Sequence, residues 1–122
     1  IVGSDRSTIS GDVCNKIGTY LKALAARDNA IPFYVALPIS SIDFTIEDGL
    51  RDIPIEERDS KEVSEITGPD SGGIMRTIRV ASQGTAISNP GFDVTPAKLI
   101  TAIITERGIH EATKASLKHL LQ

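Results

Sequence analysis

Apolar side chains return every three or four positions between residues 13 and 28. Val13, Ile17, Tyr20, Leu21 and Leu24 fall on one stripe, and that spacing predicts a helix. Asp12 reads as its N-cap and Asn29 as its stop. Gly18, costly inside a helix, reads as a point of close packing against a strand. Residues 31–37 carry another pattern: a short apolar run with Phe33, Tyr34 and Val35, with Pro32 and Pro38 near its ends. Its length and its aromatic and β-branched content predict a buried strand. Ile1-Val2 reads as the tail of an earlier strand, and residues 3–11 as the loop after it. Strand, helix, strand in that order implies a right-handed parallel crossover. Residues 40–44 then lie at the carboxyl end of the second strand, where open α/β sheets place ligands.

Farther along, Gly68-Pro69-Asp70-Ser71-Gly72-Gly73 is a turn signal. Residues 76–81 alternate polar and apolar as a half-buried strand does, so the turn predicts a hairpin. Thr95-Pro96 reads as an N-cap followed by proline at the first helical position, with Leu99, Ile100, Ile103 and Ile104 as a stripe and Gly108 as the stop. A helix over 96–107 with so few charges is expected to be covered on both faces, by the sheet and by a second copy of the protein. The interface is expected around residues 89–104. Residues 111–121 read as a last helix with Leu117, Leu120 and Leu121 on one side. The expected fold class is therefore α/β: a doubly wound, mainly parallel, Rossmann-like sheet with a hairpin-like excursion over about residues 45–88.

Composition narrows the function classes. The 122 residues suit one domain, and no apolar run is long enough for a membrane span. Thirteen basic against 16 acidic residues give a net charge of −3, which argues against nucleic acid as the main partner. Residues 47–65 hold eight acids and three bases, a local net of −5, so the rest of the chain is slightly basic, as suits a small phosphorylated ligand. One cysteine makes neither an internal disulfide nor a cysteine-rich metal site, and a reducing cytoplasmic setting is the expectation. The opening Ile1-Val2-Gly3 reads as the inside of a domain, so the chain is expected to be a piece of a longer one.

Three positions carry candidate chemistry. Asp5 lies on a loop just past a strand tail. There a carboxylate serves either proton transfer in a dry pocket or the holding of backbone amides. Asn15 and Lys16, read in the first turn of the helix, combine an amide, an ammonium and free N–H groups, a way to hold phosphate; a solvated lysine is the plainer alternative. Cys14 stands beside them, but with no nearby histidine it reads as a small buried residue. His110 and His119 read as surface residues, and no spacing in the chain suits a metal site.

The stretch Gly3-Ser4-Asp5-Arg6 … Gly11-Asp12-Val13-Cys14-Asn15-Lys16-Ile17-Gly18-Thr19-Tyr20 resembles the methylthioribose-1-phosphate isomerase family, whose superfamily includes the alpha, beta and delta subunits of translation initiation factor 2B. Ile31-Pro32-Phe33-Tyr34-Val35-Ala36, Asp52-Ile53-Pro54-Ile55-Glu56-Glu57-Arg58 and Asn89-Pro90-Gly91-Phe92-Asp93-Val94-Thr95-Pro96 extend the likeness in order. The resemblance implies an aldose-ketose isomerase of methionine salvage acting on 5-methylthioribose 1-phosphate, without metal or cofactor, as a homodimer. Isomerases of 5-deoxyribose 1-phosphate or ribose 1,5-bisphosphate are the near alternatives, and a non-catalytic regulatory subunit the distant one. It also implies that residues 1–122 are the C-terminal domain of a longer protein, lacking the N-terminal half, with a catalytic role for Asp5, phosphate contacts for Asn15 and Lys16, and the family's catalytic cysteine and arginines in that N-terminal half. Cys14 stands where the family usually has alanine. The regulatory subunits generally lack an acid at Asp5 and tend to glycine at Asp12. Both acids are present here, which favours the enzyme.

Overall fold

The computed structural model describes residues 1–121. The chain divides into two units, Ile1–Ile55 with Phe92–Gln122, and Glu56–Gly91.

The first unit is α/β. Its strands β1 (Arg6–Thr8), β2 (Val13–Lys16), β3 (Tyr34–Ala36) and β4 (Ile42–Asp43) come from the first half of the chain. The helices α1 (Thr19–Asp28) and α2 (Gly49–Asp52) lie among them. One sheet has the order β4-β1-β2-β7, where β7 is Phe92–Thr95. β1 runs parallel to β4 and antiparallel to β2, and β2 pairs antiparallel with β7 from Val13↔Thr95 to Lys16↔Phe92. A second sheet sets β3 parallel to β8 (Ala102–Thr105), which turns through Gly108 into β9 (Gly108–His110). Val2 bridges Val35 in parallel, so the expected strand–helix–strand crossover frames α1. The parallel pairs sit on a shared core of Val13, Phe33, Val35, Leu37, Ile42 and Ile103.

Several sequence expectations need correction. Residues 13–16 are strand, not the first turn of a helix, and Asp12 does not cap α1. Val13 is β-branched and fully buried between β1 and β7. Gly18 then takes φ +96°, a left-handed conformation that side chains resist, and α1 starts after it. The helix presents its small face inward: Ala23 and Ala26 reach the core, whereas Leu21 stays 69% exposed. Small residues let the helix lie close, so the apolar stripe read from the sequence points outward.

The helix expected over 96–107 is absent. Pro96 and Gly108 bracket a short 3-10 turn, Ala97–Leu99, and then β8. Ile103, Ile104 and Thr105 are β-branched and gain ladder partners in β3 and β9. Thr95 ends β7 with its hydroxyl fully buried and without a hydrogen-bond partner among the described residues. The last helix, α4 (Lys114–Lys118), begins later than expected: the Thr113 hydroxyl accepts the Ser116 N–H, and Leu117 and Leu120 enter the core.

The second unit contains α3 (Lys61–Ser64) and the hairpin β5 (Glu65–Pro69) with β6 (Met75–Arg79). The expected turn closes it: Asp70 Oδ1 accepts from Gly72 N and Ile74 N. The alternation over 76–81 holds, but the half-burial does not, since Ile66 and Ile78 face each other across the ladder at 64% and 63% exposure. At its base Gly91 N donates to Glu56 O at 2.8 Å and Arg58 N to Asn89 O at 2.9 Å.

Candidate functional site

Val2 and β3 run side by side, and the chain leaves both at their carboxyl ends. From Val2 it passes through Gly3 and Ser4 to Asp5. From β3 it passes through Pro38 into the 3-10 turn Ile39–Ser41. These two exits enclose a cavity of about 480 Å³ lined by Asp5, Arg6, Ser40, Ser41, Asp43 and Phe44. Its position is the one that open parallel sheets use for ligands.

Asp5 is exposed, and its N–H donates to Cys14 O at 2.9 Å. The alternative of a carboxylate holding backbone amides is not realised: the side chain makes no hydrogen bond or ion pair among the described residues. Asp43, across β1, is by contrast fully engaged. Its Oδ1 accepts from the Thr45 hydroxyl at 2.6 Å and Thr45 N at 3.0 Å, and its Oδ2 lies 3.9 Å from Arg6. The Thr45 hydroxyl first, then the Thr45 N–H and the Arg6 charge, hold the Asp43 carboxyl below the usual carboxylate range. One acid on this cavity is committed to structure and the other is available.

Asn15 and Lys16 end β2, and neither lines the Asp5 cavity. Adjacent strand residues point to opposite faces. Asn15 Nδ2 donates to the Thr19 hydroxyl at 3.1 Å. The Lys16 ammonium is exposed, 5.9 Å from the centre of the Phe92 ring, with no ion pair among the described residues. The helix N-terminus was expected to add its amides here. Instead Asp93 takes two of them: Oδ2 accepts from Gly18 N at 2.7 Å and Oδ1 from Tyr20 N at 3.1 Å. Sequence reasoning missed this cap, which comes from a strand far along the chain and leaves no local signal.

Asp12, too, is structural. Its carboxylate accepts from Gly49 N at 3.0 Å, Ala97 N at 2.9 Å and Ser10 Oγ at 3.3 Å, tying three segments together. Gly49 must lack a side chain there, because a Cβ would stand 2.8 Å from Asp12 Cβ. Cys14 is buried at 3% exposure, and burial, with the Asp5 charge second, pushes its thiol up. His119 is exposed, whereas His110 is half-buried and shares a hydrogen bond with Thr105 Oγ1 at 3.1 Å.

An unpaired acid stands at the carboxyl end of a parallel strand pair, in an α/β fold whose sheets mix parallel and antiparallel strands, and the sequence comparison identifies the protein class. The model of the Initiation factor 2 subunit family matches residues 1–112, and the chain belongs to that family. Within it, the chain is 63% identical over 120 residues to methylthioribose-1-phosphate isomerase of Methylorubrum extorquens, covering 98% of this chain and 33% of that protein. It is 59% identical over 120 residues to the enzyme of the same name from Sinorhizobium medicae, with the same coverage. Among solved structures, 5-methylthioribose 1-phosphate isomerase from Pyrococcus horikoshii matches with a TM-score of 0.82 and 45% identity, over 99% of this chain and 32% of that one. The delta subunit of translation initiation factor eIF-2B from A. fulgidus matches with a TM-score of 0.78 and 32% identity, over 98% and 32%. The chain thus spans about a third of the length of the relatives it matches.

Proposed function

We propose that the protein containing this chain is an aldose-ketose isomerase that converts 5-methylthioribose 1-phosphate to 5-methylthioribulose 1-phosphate in methionine salvage. The observation that carries this reading is the unpaired Asp5 carboxylate on a cavity at the carboxyl end of a parallel pair. The high identity to enzymes of that name supports it. The chain acts as the C-terminal Rossmann-like catalytic domain, and the N-terminal half supplies the other walls of the site.

The chemistry needs few groups. A sugar phosphorylated at C1 is locked as a ring, so the enzyme must protonate the ring oxygen as its bond to C1 breaks, move hydrogen from C2 to C1, and take the proton from the C2 hydroxyl as the carbonyl forms there. Asp5 gives and takes the proton, once the rest of the protein closes over the cavity and excludes water. Lys16 and Asn15 hold the phosphate. The reaction requires neither a metal nor an organic cofactor. The protein works in the cytoplasm as a homodimer. No helix forms over 96–107 to offer an interface there, and Ile100 and Ile103 are buried within the chain. Ile17 and the α1 residue Leu21 are exposed apolar side chains that a second copy or the N-terminal half would cover. Sedimentation of the whole protein as a monomer at micromolar concentration would refute the homodimer.

The regulatory-subunit alternative predicts no turnover. In the whole protein, Asp5→Asn is expected to abolish turnover while leaving substrate affinity largely intact. Lys16→Ala is expected to weaken substrate binding by about one to two decades, the cost of losing one charged partner. An Asp5→Asn protein with normal turnover ends the catalytic assignment.

A further inference from the structure

The cavity beside Asp5 has a wall that the proposed chemistry leaves unused. Ser40 and Ser41 sit on the 3-10 turn Ile39–Ser41, and neither hydroxyl has a hydrogen-bond partner among the described residues. Ser41 is half-buried, yet the backbone around both is held. Leu37 N donates to Ile104 O at 2.9 Å, and Ser41 N to Pro38 O at 2.9 Å. Between them, Ile39 N donates to the Glu106 carboxylate, 3.0 Å from Oε2 and 3.3 Å from Oε1. Glu106 comes from the β8–β9 turn, so one carboxylate fixes a loop that is distant in sequence.

A hydroxyl on a held backbone and without a protein partner is matched by a group that both donates and accepts, such as another hydroxyl. Holding it in place beforehand lowers the ordering cost of binding. The charges nearby point the same way. The cation lining this part of the cavity, Arg6, lies beside Asp43, so the wall offers no excess positive charge for a second anion. Phosphate fits better at Lys16, outside the cavity lining.

We propose that Ser40 and Ser41 bind hydroxyl groups of the sugar, and that Glu106 is a positioning residue for them. This rests on the sugar-phosphate isomerase reading and adds the recognition of the substrate's hydroxyl groups.

The test uses the whole protein. The Ser40→Ala/Ser41→Ala double variant is assayed for kcat and KM with methylthioribose 1-phosphate. Binding of ribose 1-phosphate and of inorganic phosphate is measured by calorimetry. KM is expected to rise, and ribose 1-phosphate affinity to fall, by about ten- to a hundredfold, with inorganic phosphate affinity held within about twofold. Glu106→Ala is expected to raise KM, and Glu106→Gln, which keeps an acceptor for Ile39, to restore most of the loss. Unchanged ribose 1-phosphate affinity in the double variant overturns the proposal, as does an equal loss for inorganic phosphate. A wild-type protein that binds ribose 1-phosphate through these serines without turnover refutes the isomerase reading and leaves the hydroxyl wall standing. A wild-type protein that binds no sugar phosphate overturns both.

Discussion

Replacing Asp93 with alanine strips α1 of its N-terminal cap. Two backbone donors lose a charged acceptor, Gly18 N at 2.7 Å and Tyr20 N at 3.1 Å. Losing a helix cap costs about 0.5–2 kcal/mol, and hydrogen bonds to charged groups contribute about 1.5–3 kcal/mol. Both donors lie near the surface, where water takes over part of the role, so about 2 kcal/mol is the expected local loss. That corresponds to about a 30-fold rise in the open population of the helix start. Hydrogen exchange followed by mass spectrometry on the whole protein reads it directly at residues 18–24. Asp93→Asn keeps one acceptor oxygen and is expected to lose about half as much. β3 serves as the internal control, since Val35 at its centre is fully buried and Asp93 touches none of its backbone. Unchanged exchange over 18–24 in Asp93→Ala would refute the cap, and equal acceleration in β3 would assign the loss to the whole unit instead.

Three further outcomes follow from the same geometry. Thr95→Val removes a buried hydroxyl that has no partner, so thermal stability is expected to hold or rise by about 1 kcal/mol; a loss of more than that would mean the hydroxyl is bonded after all. Cys14, buried and with its thiol pushed up, is expected to alkylate at pH 8 at least about tenfold more slowly in the folded protein than in denaturant, read on its own peptide. The Glu106 carboxyl is held down by backbone N–H groups, its own first and then that of Ile39, so its contribution to stability is present above the ordinary carboxylate range and is lost as pH falls through the lowered folded value. A carbon NMR titration is expected to give a midpoint below that of an ordinary exposed glutamate, and a midpoint at or above it would refute the Ile39 contact.

The fold class was legible because it rests on short-range signals. The run around Phe33–Val35 and the turn at 68–73 each carried their own chemistry, and both formed where expected. The errors share a cause. Val13 to Leu24 has helical spacing, yet its first residues pair with β7, a partner that only the folded chain supplies. Residues 99–105 likewise match a helical stripe, and the β-branched Ile103, Ile104 and Thr105 were the overlooked sign of a strand. The position of Asp5, on the loop after a strand tail, was legible. Its cavity was half legible, through residues 40–44, because the pairing that brings β1 beside β4, and the hold of Glu106 on Ile39, come from neighbours the sequence does not announce. The role of Asp93 could not be read locally at all.

The short antiparallel clasp at the foot of the second unit, where Gly91 binds Glu56 and Asn89 binds Arg58, changes what the chain between them can become. Once those ends are joined, closing the intervening loop grows dearer only logarithmically with its length, by about 0.6 kcal/mol for each doubling. The hairpin is therefore a segment that can lengthen, shorten or change its surface at little thermodynamic penalty. β7, which must find β2 at a fixed register, tolerates no such drift. Divergence among relatives should accordingly concentrate in residues 65–88, leaving the ladder beyond them in place.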